Sequence, residues 1–158
     1  MKRFAALYRA LDETTKTSRK VAALCDYFRD CAPLDGAWAA FFLGGRRLKR
    51  IVPHATLRSE AAVAASVGDW LFDECYEAVG DLAETIALLL PEGVAAEDRA
   101  LSYWVENRIQ PLASMTDAER RCELRRAWQE LGTSERFLFN KLVTGSFRVG
   151  VSQRLVTR

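Results

Sequence analysis

Three segments of the chain combine basic side chains with glycine or hydroxyl groups, a combination suited to binding phosphate. The first begins a predicted helix, where Thr15 and Lys16 are followed by Arg19 and Lys20. Cations at a helix N-terminus oppose the helix dipole, a cost that is offset if a phosphate binds the free backbone amides there. The alternative is an ordinary exposed helix start.

The second segment is Gly44-Gly45-Arg46-Arg47-Leu48-Lys49-Arg50. Glycine lets a backbone approach a ligand closely, and arginine forks onto phosphate oxygens. The alternative is a helix cap followed by a solvated loop. Because the run contains several basic residues and no acid, we consider phosphate binding and a solvated loop about equally supported.

The third segment runs from Lys141 to Gly150, where Gly145 and Gly150 bracket Thr144, Ser146 and Arg148. The amides of Gly145 and Ser146, together with the following helix N-terminus near Gly150, could form a nest for an anion. A tight turn between helices would explain the glycines equally well. It would not explain the cations beside them.

No group of residues in the sequence indicates a catalytic site. His54 is the only histidine and has no evident serine or cysteine partner, and no phosphate-binding P-loop or zinc-protease motif occurs. The four cysteines form no C-x-x-C pair, which argues against a zinc site. We therefore expect no catalytic residue, metal or cofactor in this chain. Cys25, Cys75 and Cys122 occupy core-type helix positions and are expected to be buried and reduced.

The composition is that of one globular domain. The 158 residues are 49% hydrophobic with 4 prolines, which excludes a disordered chain. No apolar run approaches the roughly 20 residues of a membrane span. Because no signal-peptide pattern follows Met1, we expect a cytoplasmic protein.

The net charge of +2 is unevenly distributed. Every charge in 46–58 is basic, every charge in 69–98 is acidic, and every charge from Arg136 onward is basic. This asymmetry predicts one face for a polyanion and another for solvent or a basic partner. The alternative function is a helical protein–protein interaction module that docks a basic partner on its acidic face.

Residues 69–90 are predicted to form one long amphipathic helix that carries the others. Apolar residues recur there at helical spacing, namely Phe72, Tyr76, Val79, Ala83, Ile86 and Leu90. Trp70, Leu71 and Cys75 widen this apolar face. Gly80 interrupts it, since glycine in a helix costs about 1 kcal/mol relative to alanine. Either the helix bends at Gly80, or another group comes close to it. The favoured explanation is close helix packing, with close approach of DNA near Gly80-Asp81 as the alternative.

Periodicity and capping signals predict an all-α fold of about eight to ten helices. Thr14, Thr15 or Thr17 is expected to cap the second helix, and Gly44-Gly45 to end the third. Thr116 and Glu119 spell a capping box. The other expected signals are Asp69 as an N-cap, a helix from Glu97 to about Ile109, Gly132 and Gly145 as helix ends, and a last helix from Gly150 or Ser152.

The chain resembles the N-terminal DNA-binding domain of ATP-dependent DNA ligases of the bacterial type. The most characteristic stretches are GDWLFDECYEAVGDLAETIALLLP at 68–91 and TGSFRVGVSQRLV at 144–156. FAALYRALDETTKTSRKVAALCDYF resembles the first helical pair of that domain, and FFLGGRRLKRIVP its glycine-basic loop. The resemblance covers essentially the whole chain.

The resemblance implies an all-α domain on the minor-groove side of nicked duplex DNA, acting as a monomer in the cytoplasm at the nucleoid. It implies a parent ligase that serves replication, repair or recombination. The DNA-binding candidates are Thr15, Lys16, Gly44, Gly45, Arg46, Arg47, Lys141, Thr144, Gly145, Ser146, Arg148 and Gly150.

The ligase reaction that the resemblance implies uses ATP and Mg²⁺ and a lysine in a K-x-D-G motif. This chain departs from that pattern, because its single Asp-Gly pair, Asp35-Gly36, has Pro33 at the lysine position. The chain also ends inside a predicted helix. We therefore expect a non-catalytic fragment, with nucleotidyltransferase and OB-fold domains beyond residue 158 as its partners.

Overall fold

The computed structural model describes residues 1–49, 51–93, 97–151 and 153–156, and every regular element in these ranges is helical. The all-α prediction is therefore confirmed. The elements are α1 (Lys2–Asp12), α2 (Thr17–Asp30), α3 (Pro33–Leu43), α4 (His54–Ala64), α5 (Asp69–Val79), α6 (Leu82–Leu89), α7 (Leu101–Tyr103), a π-helical segment (Trp104–Ile109), a 3₁₀ turn (Gln110–Ala113), α8 (Asp117–Glu130), α9 (Thr133–Thr144) and α10 (Gln153–Val156). Within the described ranges, no helix combines the length and the apolar character needed to span a bilayer.

Helix α9 occupies the centre of the fold. It packs against α6 and α1, and its buried positions include Leu138, Phe139, Leu142 and Val143. The sequence instead predicts that residues 69–90 form the central helix. That expectation is wrong because α9 is enclosed by neighbours on more than one side, whereas α5 buries one side chain, Phe72.

The predicted long helix is broken at Gly80. Gly80 adopts a left-handed conformation (φ 77°) that ends α5, and the Asp81 side chain then caps α6 by accepting from the Glu84 amide at 3.0 Å. A Cβ at Gly80 would meet no atom within 4 Å. Close helix packing is therefore the wrong explanation for this glycine. Its positive φ is the reason, since glycine adopts that conformation without steric cost.

The break changes which apolar side chains are buried. Trp70 is 71% exposed, and Leu71, Tyr76 and Val79 are each more than a third exposed. The predicted apolar stripe therefore holds at Phe72 and through α6, but not along the whole of α5. The buried-cysteine prediction is also wrong, since Cys25 and Cys122 are exposed and Cys75 is half-buried, although all four cysteines are free thiols.

Local signals set most helix boundaries. The Thr116–Glu119 capping box is present with both reciprocal hydrogen bonds, and Gly145 ends α9 in a left-handed conformation (φ 66°). Gly45 (φ 83°) follows α3 in the same conformation. These three predictions are confirmed.

Other boundaries differ from the expectations. Lys16, not a threonine, is the N-cap of α2, and Thr14 instead accepts from the Lys16 amide at 3.2 Å. Gly68 rather than Asp69 is the N-cap of α5. Gly132 does follow the end of α8 as expected, since Leu131 is the C-cap of that helix, and Gly132 is also the N-cap of α9. The helix expected from Glu97 begins at Leu101. The last helix, α10, begins at Gln153, and Ser152, one of its expected starts, lies outside the described residues.

A buried arginine ties three elements together. Arg136 on α9 is 1% exposed and donates to five backbone carbonyl oxygens around the end of α6 and the end of α8. Burial lowers the pKa of its guanidinium, because the charge has left water. Arg136 therefore holds the core and does not belong to the basic face that the charge map predicted.

Candidate nucleic-acid interface

The turn after α9 has a fixed backbone. Gly145 donates to Leu142, and the Ser146 amide donates to the Lys141 carbonyl at 3.0 Å. The Thr144 hydroxyl lies 2.6 Å from the Ser146 hydroxyl and donates to the Asn140 carbonyl at 2.8 Å. These bonds form a helix-ending motif that satisfies the last carbonyls of α9. The predicted anion nest at the Gly145 and Ser146 amides is therefore wrong, because both amides already donate within the turn. The Ser146 hydroxyl is left half-buried at the surface of the turn.

An aromatic anchor holds the segment that follows this turn. Phe147 is 7% exposed and stacks on Phe4 with ring centroids 5.8 Å apart, and it also contacts Tyr8 and Phe42. Burying Phe147 leaves the next residue, Arg148, exposed to solvent. The hydrophobic core thus fixes where this arginine is presented.

The glycine-basic loop lies directly against the turn. The Ile51 amide donates to the Val143 carbonyl at 3.2 Å. A Cβ on Gly145 would lie 3.3 Å from the Leu48 carbonyl oxygen and 3.8 Å from Arg47 Cδ. The second and third predicted phosphate-binding segments are therefore neighbours in space. Arg50, which the sequence placed in the second segment, lies outside the described residues.

The start of α2 reaches the other end of the same turn. Lys20 donates from its ammonium group to the Gly150 carbonyl. Lys16 is one helical turn before Lys20, and both Lys16 and Thr15 are exposed. No side chain caps α2, so its first amides remain open to a ligand within the described part of the chain. The first segment thus joins the other two at the edge of one surface.

The loop and the turn enclose an open groove of about 740 Å³. It is lined by Arg47, Leu48, Lys49, His54, Thr144, Gly145, Ser146 and Arg148. The described lining residues offer backbone, hydroxyl and cationic groups, and none of them carries a carboxylate. Such a lining favours an anion over a neutral or cationic ligand.

The cations in this groove, together with Arg46 beside the lining residue Arg47, differ from most other cations on the molecule. Arg46, Arg47, Lys49 and Arg148 are exposed and form no ion pair with any acidic side chain that the structure describes. Most other arginines are paired, for example Arg58 with Asp73 at 2.6 Å. Among the residues that the structure describes, most of the exposed unpaired cations lie on the surface formed by the three segments, and Lys2, Arg3 and Arg9 on α1 lie outside it.

Lys141 is the one predicted site residue whose charge is already engaged. Its ammonium group pairs with the Asp81 carboxylate and lies 5.3 Å from the centre of the Phe137 ring. Burial raises the pKa of Asp81, but hydrogen bonds from Lys141 and the Glu84 amide outweigh it and hold that pKa below its usual value. Lys141 therefore adjoins the groove with its charge largely neutralised.

A crevice of about 130 Å³ connects the groove to the break between α5 and α6. The groove and the crevice share the lining residues His54, Thr144 and Ser146. Gly80 and Asp81 line the crevice but not the groove. The break at Gly80 thus lies beside the predicted site, although 60 residues separate Asp81 from Lys141 in sequence.

Sequence reasoning missed several contributors to this surface. Lys20 and Lys49 belong to the predicted basic segments but are not among the predicted DNA-binding residues, and the exposed His54 was given no role at the site. Tyr8 was missed entirely, yet its hydroxyl donates to the Arg148 carbonyl at 3.3 Å. A contact between residues 140 positions apart leaves no periodic signal in the sequence.

A comparison with known families identifies the family of this chain. The whole described surface falls within a match to the family called DNA ligase N terminus, which extends over residues 1–158. No curated protein is significantly similar to the chain in sequence. Since the family match spans all 158 residues, the chain belongs to the N-terminal domain family of ATP-dependent DNA ligases.

Proposed function

We propose that the groove binds the phosphate backbone of duplex DNA around a nick, on the minor-groove side. The observation that carries this proposal is the convergence of three separate segments on one surface of unpaired cations. A single basic loop is common on protein surfaces. Here three segments are held together by hydrogen bonds and by a buried phenylalanine, and they form a pre-organised site.

The residues of the site have distinct roles in this proposal. Arg46, Arg47, Lys49 and Arg148 neutralise phosphates on neighbouring nucleotides. The first amides of α2, which follow Thr15 and Lys16, donate to phosphate oxygens. The Gly145 and Ser146 amides do not take part, because both are bonded to carbonyls of α9. The hydroxyls of Thr144 and Ser146 stabilise the turn. Gly44, Gly45 and Gly150 allow the backbone to approach the ligand.

The DNA sequence should matter little to this binding. Contacts to phosphate fix the position of a protein on the duplex but carry no base information. A domain that acts wherever a strand is broken requires this property. We infer that the chain works with nucleotidyltransferase and OB-fold domains of an ATP-dependent ligase at the nucleoid, in replication, repair or recombination.

The same proposal leaves the chemistry of ligation to those other domains. ATP and Mg²⁺ would act there, because no K-x-D-G motif occurs in residues 1–158. Incubation of this chain with labelled ATP and Mg²⁺ should leave the protein without covalent AMP. Recovery of a lysyl-AMP adduct would contradict this assignment.

Charge reversal in the groove tests the proposal. Arg47→Glu and Arg148→Glu should each weaken binding of a labelled nicked duplex about tenfold, since each loses a charge-assisted contact and adds repulsion. Fluorescence anisotropy measures the change, with two unrelated duplex sequences expected to respond equally. Arg126→Glu is the matched control, because Arg126 is exposed on α8 and pairs with Glu130 outside the groove. Equal weakening by all three variants would show only a response to net charge and would overturn the site.

A further inference from the structure

A second groove lies between α1, α6 and α9 and has a volume of about 280 Å³. Its floor is apolar, with Tyr8, Ala87 and Phe137 among the lining residues. Leu88 on α6 stands at its edge and is 61% exposed. Covering an apolar floor and an exposed leucine with another apolar group removes both from water, which favours binding.

Carboxylates surround this floor. Asp12, Glu13 and Glu84 line the groove, are exposed, and form no ion pair with the basic side chains that the structure describes. Arg9 is the one cation among the described lining residues, and it donates to the Ser134 hydroxyl at 2.5 Å. The groove therefore carries a net negative charge.

The negative charge of the surrounding acids also affects Tyr8, which lies in the floor of the groove. Burial raises the pKa of Tyr8 to about 12, and the negative charges of Asp12, Asp81 and Glu84 act in the same direction. At one end of the floor, the Lys141 ammonium group lies over the Phe137 ring and beside Asp81. The fold thus already holds one cation against this aromatic ring and a carboxylate.

We infer that this second groove docks a cationic amphipathic segment of a partner protein, which places an apolar side chain beside Leu88 and basic side chains on Asp12, Glu13 and Glu84. Charge complementarity selects this occupant, since the acids repel DNA and a neutral apolar segment would leave them unpaired. The acidic docking face that the sequence predicted over 69–98 is corrected in position. Glu84 belongs to it together with α1, whereas Asp73 is already paired with Arg58.

This inference does not rest on the proposed function. The DNA groove and the second groove share none of their described lining residues. They are linked by the bond from Tyr8 to the Arg148 carbonyl and by Lys141, which lies over the Phe137 ring and adjoins the DNA groove. A variant in one groove can therefore fail while the other groove still binds its ligand.

The test uses the whole chain and a synthetic helical peptide with leucines on one face and lysines on the other. A peptide of the same composition in scrambled order is the control for charge alone. The amphipathic peptide should bind about tenfold more tightly than the scrambled one, with amide shifts in a ¹⁵N spectrum confined to α1, α6 and the start of α9. Absence of binding, equal binding of both peptides, or shifts centred elsewhere would overturn the inference.

Two pairs of variants locate the binding. Glu84→Lys should weaken peptide binding about tenfold, and Glu77→Lys, the same charge change on exposed α5, should not. Leu88→Ser should weaken it about fivefold, whereas Leu34→Ser, at a leucine 50% exposed on α3, should not. Both Glu84→Lys and Leu88→Ser should leave nicked-duplex binding unimpaired. Self-association in sedimentation that Leu88→Ser abolishes would make a second copy of this chain the occupant and contradict the partner assignment.

Discussion

Gly145 and Leu48 meet where two predicted phosphate-binding segments touch. A Cβ added to Gly145 would stand 3.3 Å from the Leu48 carbonyl oxygen, a backbone atom that moves only if the loop moves. Gly145 also has φ of 66°. A backbone conformation and a close approach thus require glycine at the same position.

Gly145→Ala should therefore be more costly than Gly45→Ala. Both positions have positive φ, but a Cβ at Gly45 would meet nothing within 4 Å. We expect a loss of about 1 kcal/mol in unfolding free energy for Gly45→Ala, and a further loss of about the same size for Gly145→Ala. Urea denaturation measures both. Equal costs would show that the loop does not press on the turn.

The ion pair of Lys141 with Asp81 should restrain DNA binding. Asp81→Asn keeps a side chain that caps α6 but removes the negative charge, which releases Lys141 toward the phosphate groove. Affinity for nicked duplex should rise a few-fold, and its salt dependence should steepen by about one phosphate contact. Unchanged or weaker binding by a folded Asp81→Asn protein would contradict this role.

The same pair makes a prediction for acid stability. The pKa of Asp81 is lowered in the folded protein, so its contribution is present above the unfolded pKa of about 4 and is lost as pH falls through the folded value. The wild-type chain should lose more stability than Asp81→Asn between about pH 5 and pH 2. Urea midpoints measured across this range give the comparison. Parallel pH profiles would show that the pair adds no stability.

Arg136 should contribute to folding and not to DNA recognition. Arg136→Lys cannot reach the same set of carbonyls, because one ammonium replaces a planar guanidinium, and about 3 kcal/mol of stability should be lost. At a temperature where the variant is folded, its affinity for nicked duplex should match that of the wild type. Weakened binding by the folded variant would return Arg136 to the basic surface.

The features that the sequence predicted correctly are those set by interactions between residues close together in the chain. The Thr116 capping box, the Gly45 turn and the Gly145 turn depend on residues within one helical turn, and all three are present. Gly80 was detected as an anomaly but was misinterpreted, because a break between two helices and a strained residue within one helix have the same apolar periodicity. Only the backbone angle separates them.

The candidate site was predicted as three separate segments and not as one surface. Their convergence depends on Phe147 packing on Phe4 and on Lys20 reaching Gly150, contacts that connect distant parts of the chain. Arg136 shows the opposite failure, since its charge suggested a surface and its burial is fixed by tertiary contacts. Whether the candidate residues bind DNA stays a prediction.

The salt dependence of binding to nicked duplex tests the central claim most directly. If Arg46, Arg47, Lys49 and Arg148 each neutralise a phosphate, the logarithm of the association constant should fall against the logarithm of salt concentration with a slope of about −3 to −4. The slope should become shallower by about one for Arg148→Glu and stay unchanged for Arg126→Glu. A flat slope, or no binding at low salt, would contradict the account.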